Sequence, residues 1–161
     1  MLRYLKFIKE HDPSVKTYLD ILFFCPSIWI MLMYRISRIF IFLRLSFISL
    51  FIMMIVKIIT GVEIHPNAKI GKCVFFDHGI GTVIGETAVI GDNCVIYHNV
   101  TLGSKKIENK KRHPTIGNNV IIGTGSIILG NIFVGDCATI GAGSIVLKDV
   151  PCNQTVVGLY K

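Results

Sequence analysis

The stretch from Ile116 to Val146 reads IGNNVIIGTGSIILGNIFVGDCATIGAGSIV, and it places a branched aliphatic residue at every sixth position. Earlier parts of the chain keep the same period. The aliphatic positions are Ile64, Ile70, Ile84, Ile90, Ile96, Leu102, Ile116, Ile122, Ile128, Val134, Ile140 and Val146. Neither the 3.6-residue period of a helix nor the two-residue period of a strand accounts for this pattern.

A six-residue repeat is typical of a parallel β-helix, in which each short strand buries its apolar side by stacking on the coils above and below it. We expect three hexads to close one triangular coil, with the aliphatic side chains inside and a small residue beside each one. These small residues are Ala68, Ala88, Cys94, Ser126, Ala138 and Ser144. Glycine follows many of the aliphatic positions, and we expect it to supply the positive φ of a tight corner.

Two interruptions of the repeat each carry a histidine. The first is a two-residue insertion between Phe76 and Ile84, which contains His78, and the second is the polar stretch 104–114, which ends in Lys-Lys-Arg-His-Pro. Insertions in a solenoid form loops on one face, often the binding face. The two interruptions are therefore the first candidates for a functional site.

Composition and charge limit the possible number of domains and the possible partners of the chain. The 161 residues are 52% hydrophobic and 17% charged, which suits one folded domain with an appendage, and we divide the chain into a helical part, 1–60, and a β-helical part, 61–161. Five cysteines form no CxxC pair, which argues against a disulfide framework or a zinc ribbon and favours a reducing cytoplasm. The net charge of +7 indicates an anionic partner, but the repeat matches no nucleic-acid-binding fold.

The first sixty residues predict helices. Asp12-Pro13-Ser14 indicates a helix N-terminus, and Ile39 to Val56 carries one charge, Arg44. That apolar stretch is about long enough to cross a bilayer of roughly 30 Å. This stretch could be a transmembrane span or an interfacial helix. Its apolar residues on nearly all faces favour a third alternative, a helix buried against the β-helix or a sister subunit. The stretch begins too late for a cleaved signal peptide.

Six short motifs resemble, in order and spacing, those of the serine O-acetyltransferases, a family of hexapeptide-repeat acyltransferases. They are Gly61-Val62-Glu63-Ile64-His65-Pro66, Phe76-Asp77-His78-Gly79, Ile84-Gly85-Glu86-Thr87-Ala88, Val100-Thr101-Leu102-Gly103, Lys111-Arg112-His113-Pro114 and Ile140-Gly141-Ala142-Gly143-Ser144. The resemblance implies a left-handed β-helix and no metal. It also implies transfer of acetyl from acetyl-CoA to the hydroxyl of L-serine, which gives O-acetylserine for cysteine biosynthesis.

The resemblance implies that His78 is the catalytic base and that Glu63 orients its ring. A neutral imidazole, with a pKa of about 6.5, can take a hydroxyl proton at cellular pH. The family often has Asp at the place of Glu63. We expect Glu63 to lie nearly one coil from His78, because stacked strands are about 4.8 Å apart. The alternative for His78 is a structural corner residue.

The resemblance also assigns the two substrates to residues. Asp77, Arg112 and His113 would bind the amino acid, and Asp12 would reach in from the helical part towards its ammonium. An acidic residue suits the ammonium, and Arg can form bidentate bonds with the carboxylate. In the family the site lies between β-helices of a trimer, so His113 would face His78 of another subunit. The residues expected at acetyl-CoA are Gly103, Ser104, Thr124, Ala142 and Lys111.

Three positions depart from the family pattern near these substrates. The family usually has Gly at the place of Ser104, Ala at the place of Thr124 and Gln at the place of His98. We expect the first two changes to affect the fine shape of the thioester channel and the third to affect the acceptor pocket. A backbone N–H at Gly103 or Ser104 would stabilise the oxyanion.

The sequence is also compatible with two other functions. A sugar or polysaccharide O-acetyltransferase of the same fold is favoured by His98 and by the apolar N-terminal helices, whereas a non-catalytic scaffold would leave the histidines of both interruptions unexplained. We expect a homotrimer or a dimer of trimers. Because the chain ends at Lys161 without the tail of the family, we expect no stable complex with the sulfhydrylase of cysteine synthesis.

Overall fold

The computed structural model describes residues 2–161, which form four helices followed by fifteen short strands. The helices are α1 (Leu2–His11), α2 (Tyr18–Phe24), α3 (Pro26–Phe42) and α4 (Ser46–Thr60). The strands are β1 (Glu63–Ile64), β2 (Lys69–Ile70), β3 (Phe75–Phe76), β4 (Val83–Ile84), β5 (Val89–Ile90), β6 (Val95–Ile96), β7 (Thr101–Gly103), β8 (Thr115–Ile116), β9 (Ile121–Ile122), β10 (Ile127–Leu129), β11 (Phe133–Val134), β12 (Thr139–Ile140), β13 (Ile145–Val146), β14 (Thr155–Val156) and β15 (Leu159–Tyr160).

Successive strands visit three parallel sheets in turn, so each sheet takes every third strand until the end of the chain. Sheet A has the order β1-β4-β7-β10-β13-β15, sheet B the order β11-β8-β5-β2 and sheet C the order β14-β12-β9-β6-β3. The register places equivalent hexad positions above one another, as with Ile84 beside Leu102 in sheet A. This is the arrangement of a three-sided coil.

The hexad positions form the core of that coil, as the sequence predicts. Every one of the twelve aliphatic hexad residues is at most 5% exposed. The small residues predicted beside them are also buried, for example Ala68, Cys94 and Ser126 at 0%. Their stacking makes one continuous apolar cluster, and burial of that surface is the main force that favours the folded state.

The glycines that follow the aliphatic positions serve a different purpose from the expected one. None of the eight, Gly71, Gly85, Gly91, Gly103, Gly117, Gly123, Gly135 and Gly141, has a positive φ. A Cβ atom at Gly117 would overlap the side chain of Asp136 in the next coil. Close approach between coils therefore requires these glycines, while positive φ values fall on other corner residues, such as Asn93 and Asn119.

The predicted helix start at Asp12 is wrong. Helix α1 ends at His11, and α2 begins only after Thr17. The Thr17 side chain accepts a bond from the Asp20 amide, while the Asp20 carboxylate accepts one from the Thr17 amide, which is a capping box. Asp12 lies in the intervening turn, where its carboxylate accepts bonds from the amide and the hydroxyl of Ser14.

The apolar stretch 39–56 is divided between two helices that pack against each other, because the chain turns at 43–45, where Arg44 has a φ of 61°. Within residues 2–161, no single helix has the length and apolar composition needed to cross a membrane, although α2 and α3, bent by 64°, have them as a pair. The Tyr34 hydroxyl of α3 donates to the Ala68 carbonyl at 2.5 Å and accepts from the Ile70 amide at 3.1 Å. These bonds fix α3 on the first coil.

Candidate active site

Three of the predicted site residues share one cleft between the helices and the coil. Asp12, from the turn after α1, and Asp77 and His78, which follow β3, line a cavity of about 530 Å³. Cys25 and Pro26, at the junction of α2 and α3, line its other side. The helical segment therefore contributes directly to the cleft that contains the predicted base.

The position of His78 follows from the anchoring of β3. Phe75 and Phe76 are buried, and the amide of Phe76 donates to the hydroxyl of Ser27, a fully buried residue in the first turn of α3. The amide of Asp77 donates to the carbonyl of Ile96 in the next coil. The chain then turns at His78, which has a φ of 58° and a side chain that is 75% exposed. The ring is thus held at a fixed corner and open to a substrate.

Asp77 gives the cleft its negative character. Its side chain is 19% exposed, and one carboxylate oxygen lies 3.7 Å from Nε2 of His78. Burial raises the pKa of Asp77, His78 opposes that rise, and the charge of Asp12 adds to it. Two neighbouring carboxylates of like charge attract a cation, and an ammonium group would relieve their repulsion.

The corner between sheets C and A, which we call corner C–A, stacks four residues in a column. The column consists of His78, His98, Thr124 and Ala142, each two residues beyond a strand of sheet C. Nδ1 of His98 lies 3.2 Å from the hydroxyl oxygen of Thr124. The ring of His98 meets that of His78 edge-on, with 6.0 Å between centroids. The predicted base and two residues predicted at acetyl-CoA, Thr124 and Ala142, therefore share one column.

The register does not stack Glu63 directly beneath His78. Val83, not His78, lies one coil above Glu63, because the two-residue insertion after Phe76 lengthens that coil. The carboxylate of Glu63 is 2.6 Å from Nζ of Lys57, near the end of α4. Among residues 2–161 the structure has no hydrogen bond or ion pair between Glu63 and His78. The orienting role of Glu63 stays a prediction.

Arg112 and His113 lie at a different corner of the same chain, between sheets A and B, which we call corner A–B. Here the polar stretch 104–114 joins β7 to β8. Arg112 donates to the carboxylate of Glu86 at 2.7 Å, and this bond lowers the pKa of Glu86. His113 is 7% exposed and bonds to Thr87. The two halves of the predicted amino-acid site are therefore on two corners of one coil, with sheet A between them.

Lys111 has a different role from the expected one at the coenzyme. Its ammonium donates to the carbonyls of Thr87, His113 and Pro114, at 2.5, 2.7 and 3.2 Å. An ammonium has three donors, so none is left for a phosphate. Burial lowers the pKa of this lysine, and nearby Lys69 adds to the effect. Lys111 holds the end of the loop against the coil below.

The other residues predicted at acetyl-CoA lie on both edges of sheet A. Gly103 ends β7, and Ser104 begins the loop at corner A–B, whereas Thr124 and Ala142 belong to the column at corner C–A. The hydroxyl of Ser104 donates to the carbonyl of Lys106 at 2.6 Å. Within residues 2–161 no group of three or more His, Cys, Asp or Glu side chains is placed to hold a metal ion.

Comparison with known proteins identifies the family. No family model matches the chain. The serine acetyltransferase of Helicobacter pylori strain 26695 is 45% identical over 96% of this chain and 90% of its own length. This chain belongs to the serine acetyltransferase family. The enzyme of Synechococcus elongatus is also 45% identical over 96% of this chain, but the chain spans only 63% of that relative.

Two solved structures of the family have the same fold. The Neisseria gonorrhoeae serine acetyltransferase in complex with serine has a TM-score of 0.92 and 42% identity, over 96% of this chain and 63% of that one. The Brucella abortus enzyme in complex with coenzyme A has a TM-score of 0.94 and 37% identity, over 96% of this chain and 62% of that one. The predicted resemblance is confirmed.

Glu86 and Thr87 are residues of the site to which the sequence assigns no role. The motif Gly85-Glu86-Thr87 supports the family resemblance, but its side chains carry no predicted function. The signal that could have found them is their register, because β5 directly after the motif pairs with β8 directly after His113. Corner residues that precede paired strands lie above one another. Thr87 is therefore expected beneath Arg112 and His113.

Proposed function

We propose that this chain acts as a serine O-acetyltransferase, which transfers acetyl from acetyl-CoA to the hydroxyl of L-serine and so makes O-acetylserine for cysteine biosynthesis. The observation that carries the proposal is the cleft that brings Asp12, Asp77 and His78 together in a chain of this family. The serine complex of the Neisseria relative and the coenzyme A complex of the Brucella relative support the same pair of substrates.

His78 acts as the general base. Its exposed ring takes the hydroxyl proton of serine as the oxygen attacks the thioester carbonyl of acetyl-CoA. Collapse of the resulting tetrahedral oxyanion breaks the carbon–sulfur bond, and the imidazolium returns its proton to the departing thiolate. Backbone N–H groups at Gly103 or Ser104 stabilise the oxyanion. The products are O-acetylserine and coenzyme A, and the enzyme is unchanged.

Charge selects an amino acid over a neutral alcohol. Asp12 and Asp77 bind the ammonium group, which offsets both the burial and the repulsion from Asp12 that raise the pKa of Asp77. Arg112 binds the carboxylate, with Glu86 holding its guanidinium in place. A sugar hydroxyl would leave both Asp carboxylates without a cation in a partly buried cleft, and an uncompensated charge there is unfavourable.

We propose a left-handed coil and a homotrimer in which the site lies between subunits. The two halves of the amino-acid site occupy corners C–A and A–B of one chain. A neighbouring copy that presents its corner A–B to corner C–A of the first would bring His113 to His78. We also propose a cytoplasmic location, on the basis of the five cysteines.

Mixing two defective variants tests the shared site. We expect His78→Ala and His113→Ala each to lose activity with L-serine. Co-refolding equal amounts should restore up to about a quarter of wild-type activity, because one interface in four joins two intact corners. No recovery in mixed trimers, verified by a size tag on one variant, would show that each site lies within one subunit.

A further inference from the structure

Thr87 bonds to the Lys-Arg-His sequence above it through every polar atom it has. Its hydroxyl oxygen lies 3.0 Å from the amide nitrogen of Arg112, 3.1 Å from that of His113 and 2.8 Å from Nδ1 of the His113 ring. Its own amide lies 3.2 Å from the same Nδ1, and its carbonyl accepts from Lys111. A single threonine therefore organises the end of the loop.

These contacts determine where the proton of His113 lies. A hydroxyl has two lone pairs and one hydrogen. The amides of Arg112 and His113 occupy both lone pairs of Thr87, so its hydrogen is directed to Nδ1 of the imidazole. The amide N–H of Thr87 points to the same atom. Nδ1 must accept, and in a neutral imidazole the proton is then on Nε2.

The surroundings disfavour protonation of this ring. Burial lowers the pKa of His113, the positive charges of Arg112 and Lys111 lower it further, and His65 acts in the same direction. Only Glu86 opposes these effects, and its carboxylate is already paired with Arg112. A second proton on Nδ1 would also face two donors of Thr87. Gly85 completes the arrangement, because a Cβ atom there would overlap the His113 ring.

We propose that Thr87 is a positioning residue that holds His113 as a neutral imidazole with its proton on Nε2. With that proton, His113 offers the substrate one hydrogen-bond donor and no acceptor. It therefore recognises an oxygen of the amino acid rather than its ammonium, and it cannot take the hydroxyl proton. The recognition step rests on the proposed function, whereas the tautomer does not.

Nitrogen-15 spectroscopy of histidine tests the tautomer in the intact protein. We expect the His113 ring of wild-type protein near neutral pH to show a protonated Nε2 and an unprotonated Nδ1, with its signals assigned by their loss in His113→Gln. A protonated Nδ1 would overturn the proposal. This measurement needs no turnover, so it remains decisive if L-serine proves not to be the substrate.

Kinetics tests the consequence for binding. Thr87→Val removes the hydroxyl, and we expect KM for L-serine to rise by roughly 10- to 100-fold, the range for loss of a hydrogen bond to a charged group, while kcat changes less. Thr87→Ser keeps the hydroxyl and should restore KM to near the wild-type value. Unchanged KM in a folded Thr87→Val protein would overturn the proposal. If wild-type protein does not turn over serine, the proposed function fails instead.

Discussion

The ring of His98 meets the ring of His78 edge-on, at an interplanar angle of 76°. Aromatic rings at such distances attract when the edge of one faces the face of the other. Since the His78 side chain is 75% exposed, few other groups limit its rotation. His98, which Thr124 holds in turn, and the Asp77 carboxylate are therefore the two neighbours that limit the orientation of the proposed base.

Loss of the His98 ring should lower kcat. We expect His98→Ala to reduce kcat for L-serine about 2- to 10-fold, which corresponds to the 0.5–1.5 kcal/mol of an edge-to-face pair. Thr124→Val should act in the same direction, and the double variant should be no worse than His98→Ala, because the two residues act as one unit. Steady-state rates at saturating substrate measure this. Additive losses would mean that Thr124 acts independently of His98.

Asp12 and Asp77 should control the affinity for the amino acid. We expect Asp12→Asn or Asp77→Asn to raise KM for L-serine roughly 10-fold or more, because each change removes a charge-assisted bond to the ammonium. Asp20→Ala is the matched control: this carboxylate also lines the cleft but caps α2. It should lower the melting temperature and leave KM nearly unchanged. An equal rise of KM in all three variants would argue against specific ammonium binding.

Lys111 should matter for stability rather than for coenzyme binding. Lys111→Met loses three hydrogen bonds to carbonyls and should destabilise the protein by about 1–3 kcal/mol. Lys110→Met, at an exposed position in the same loop, is the control and should leave stability unchanged. Urea unfolding measures both. A stable Lys111→Met protein with a much higher KM for acetyl-CoA would restore the phosphate role predicted from the sequence.

Stability should fall as pH drops below about 6.5, the ordinary pKa of histidine. Burial lowers the pKa of both His113 and His65, so the unfolded chain binds more protons than the folded one in this range. The free energy of unfolding then rises with pH up to that value and levels off above it. The raised pKa of Asp77 has the opposite effect, at pH values above the ordinary Asp pKa of about 3.9.

Urea midpoints between about pH 5 and pH 7.5, on either side of the ordinary pKa of histidine, measure this dependence. His113→Gln should flatten the slope, and His11→Gln, at an exposed position on α1, should not. An unaltered slope in His113→Gln would show that this ring contributes nothing to it.

The coil could be predicted from the sequence because hexad position and burial are directly linked. Every inward residue from Ile64 to Val146 repeats the same environment, so the period alone identifies the core. The role of the repeat glycines could not be predicted, since close approach between coils and a positive φ both require glycine. The break at 43–45 could not be predicted either, because the apolar stretch around Arg44 contains no Gly or Pro to mark a turn.

The cleft that brings Asp12, Asp77 and His78 together could be predicted, because each of these residues stands in a recognisable motif. The surroundings of Glu63 could not be predicted, because they depend on the register of the strands. The two-residue insertion places Val83, not His78, above Glu63. The hydrogen bonds from Lys111 to three carbonyls could not be predicted either, because they join the end of a long loop to the coil below, and the spacing of residues in the sequence does not reveal such contacts. The role of Thr87 also emerges only when two corners distant in sequence are stacked.

The most direct test of the account is the release of coenzyme A from acetyl-CoA with L-serine, compared with a panel of sugars and with L-alanine, in wild-type protein and His78→Ala. We expect turnover with L-serine alone, reduced by about 10²- to 10⁴-fold in a folded His78→Ala protein. Turnover with a sugar but not with L-serine, or serine turnover that is unaffected by His78→Ala, would contradict the account.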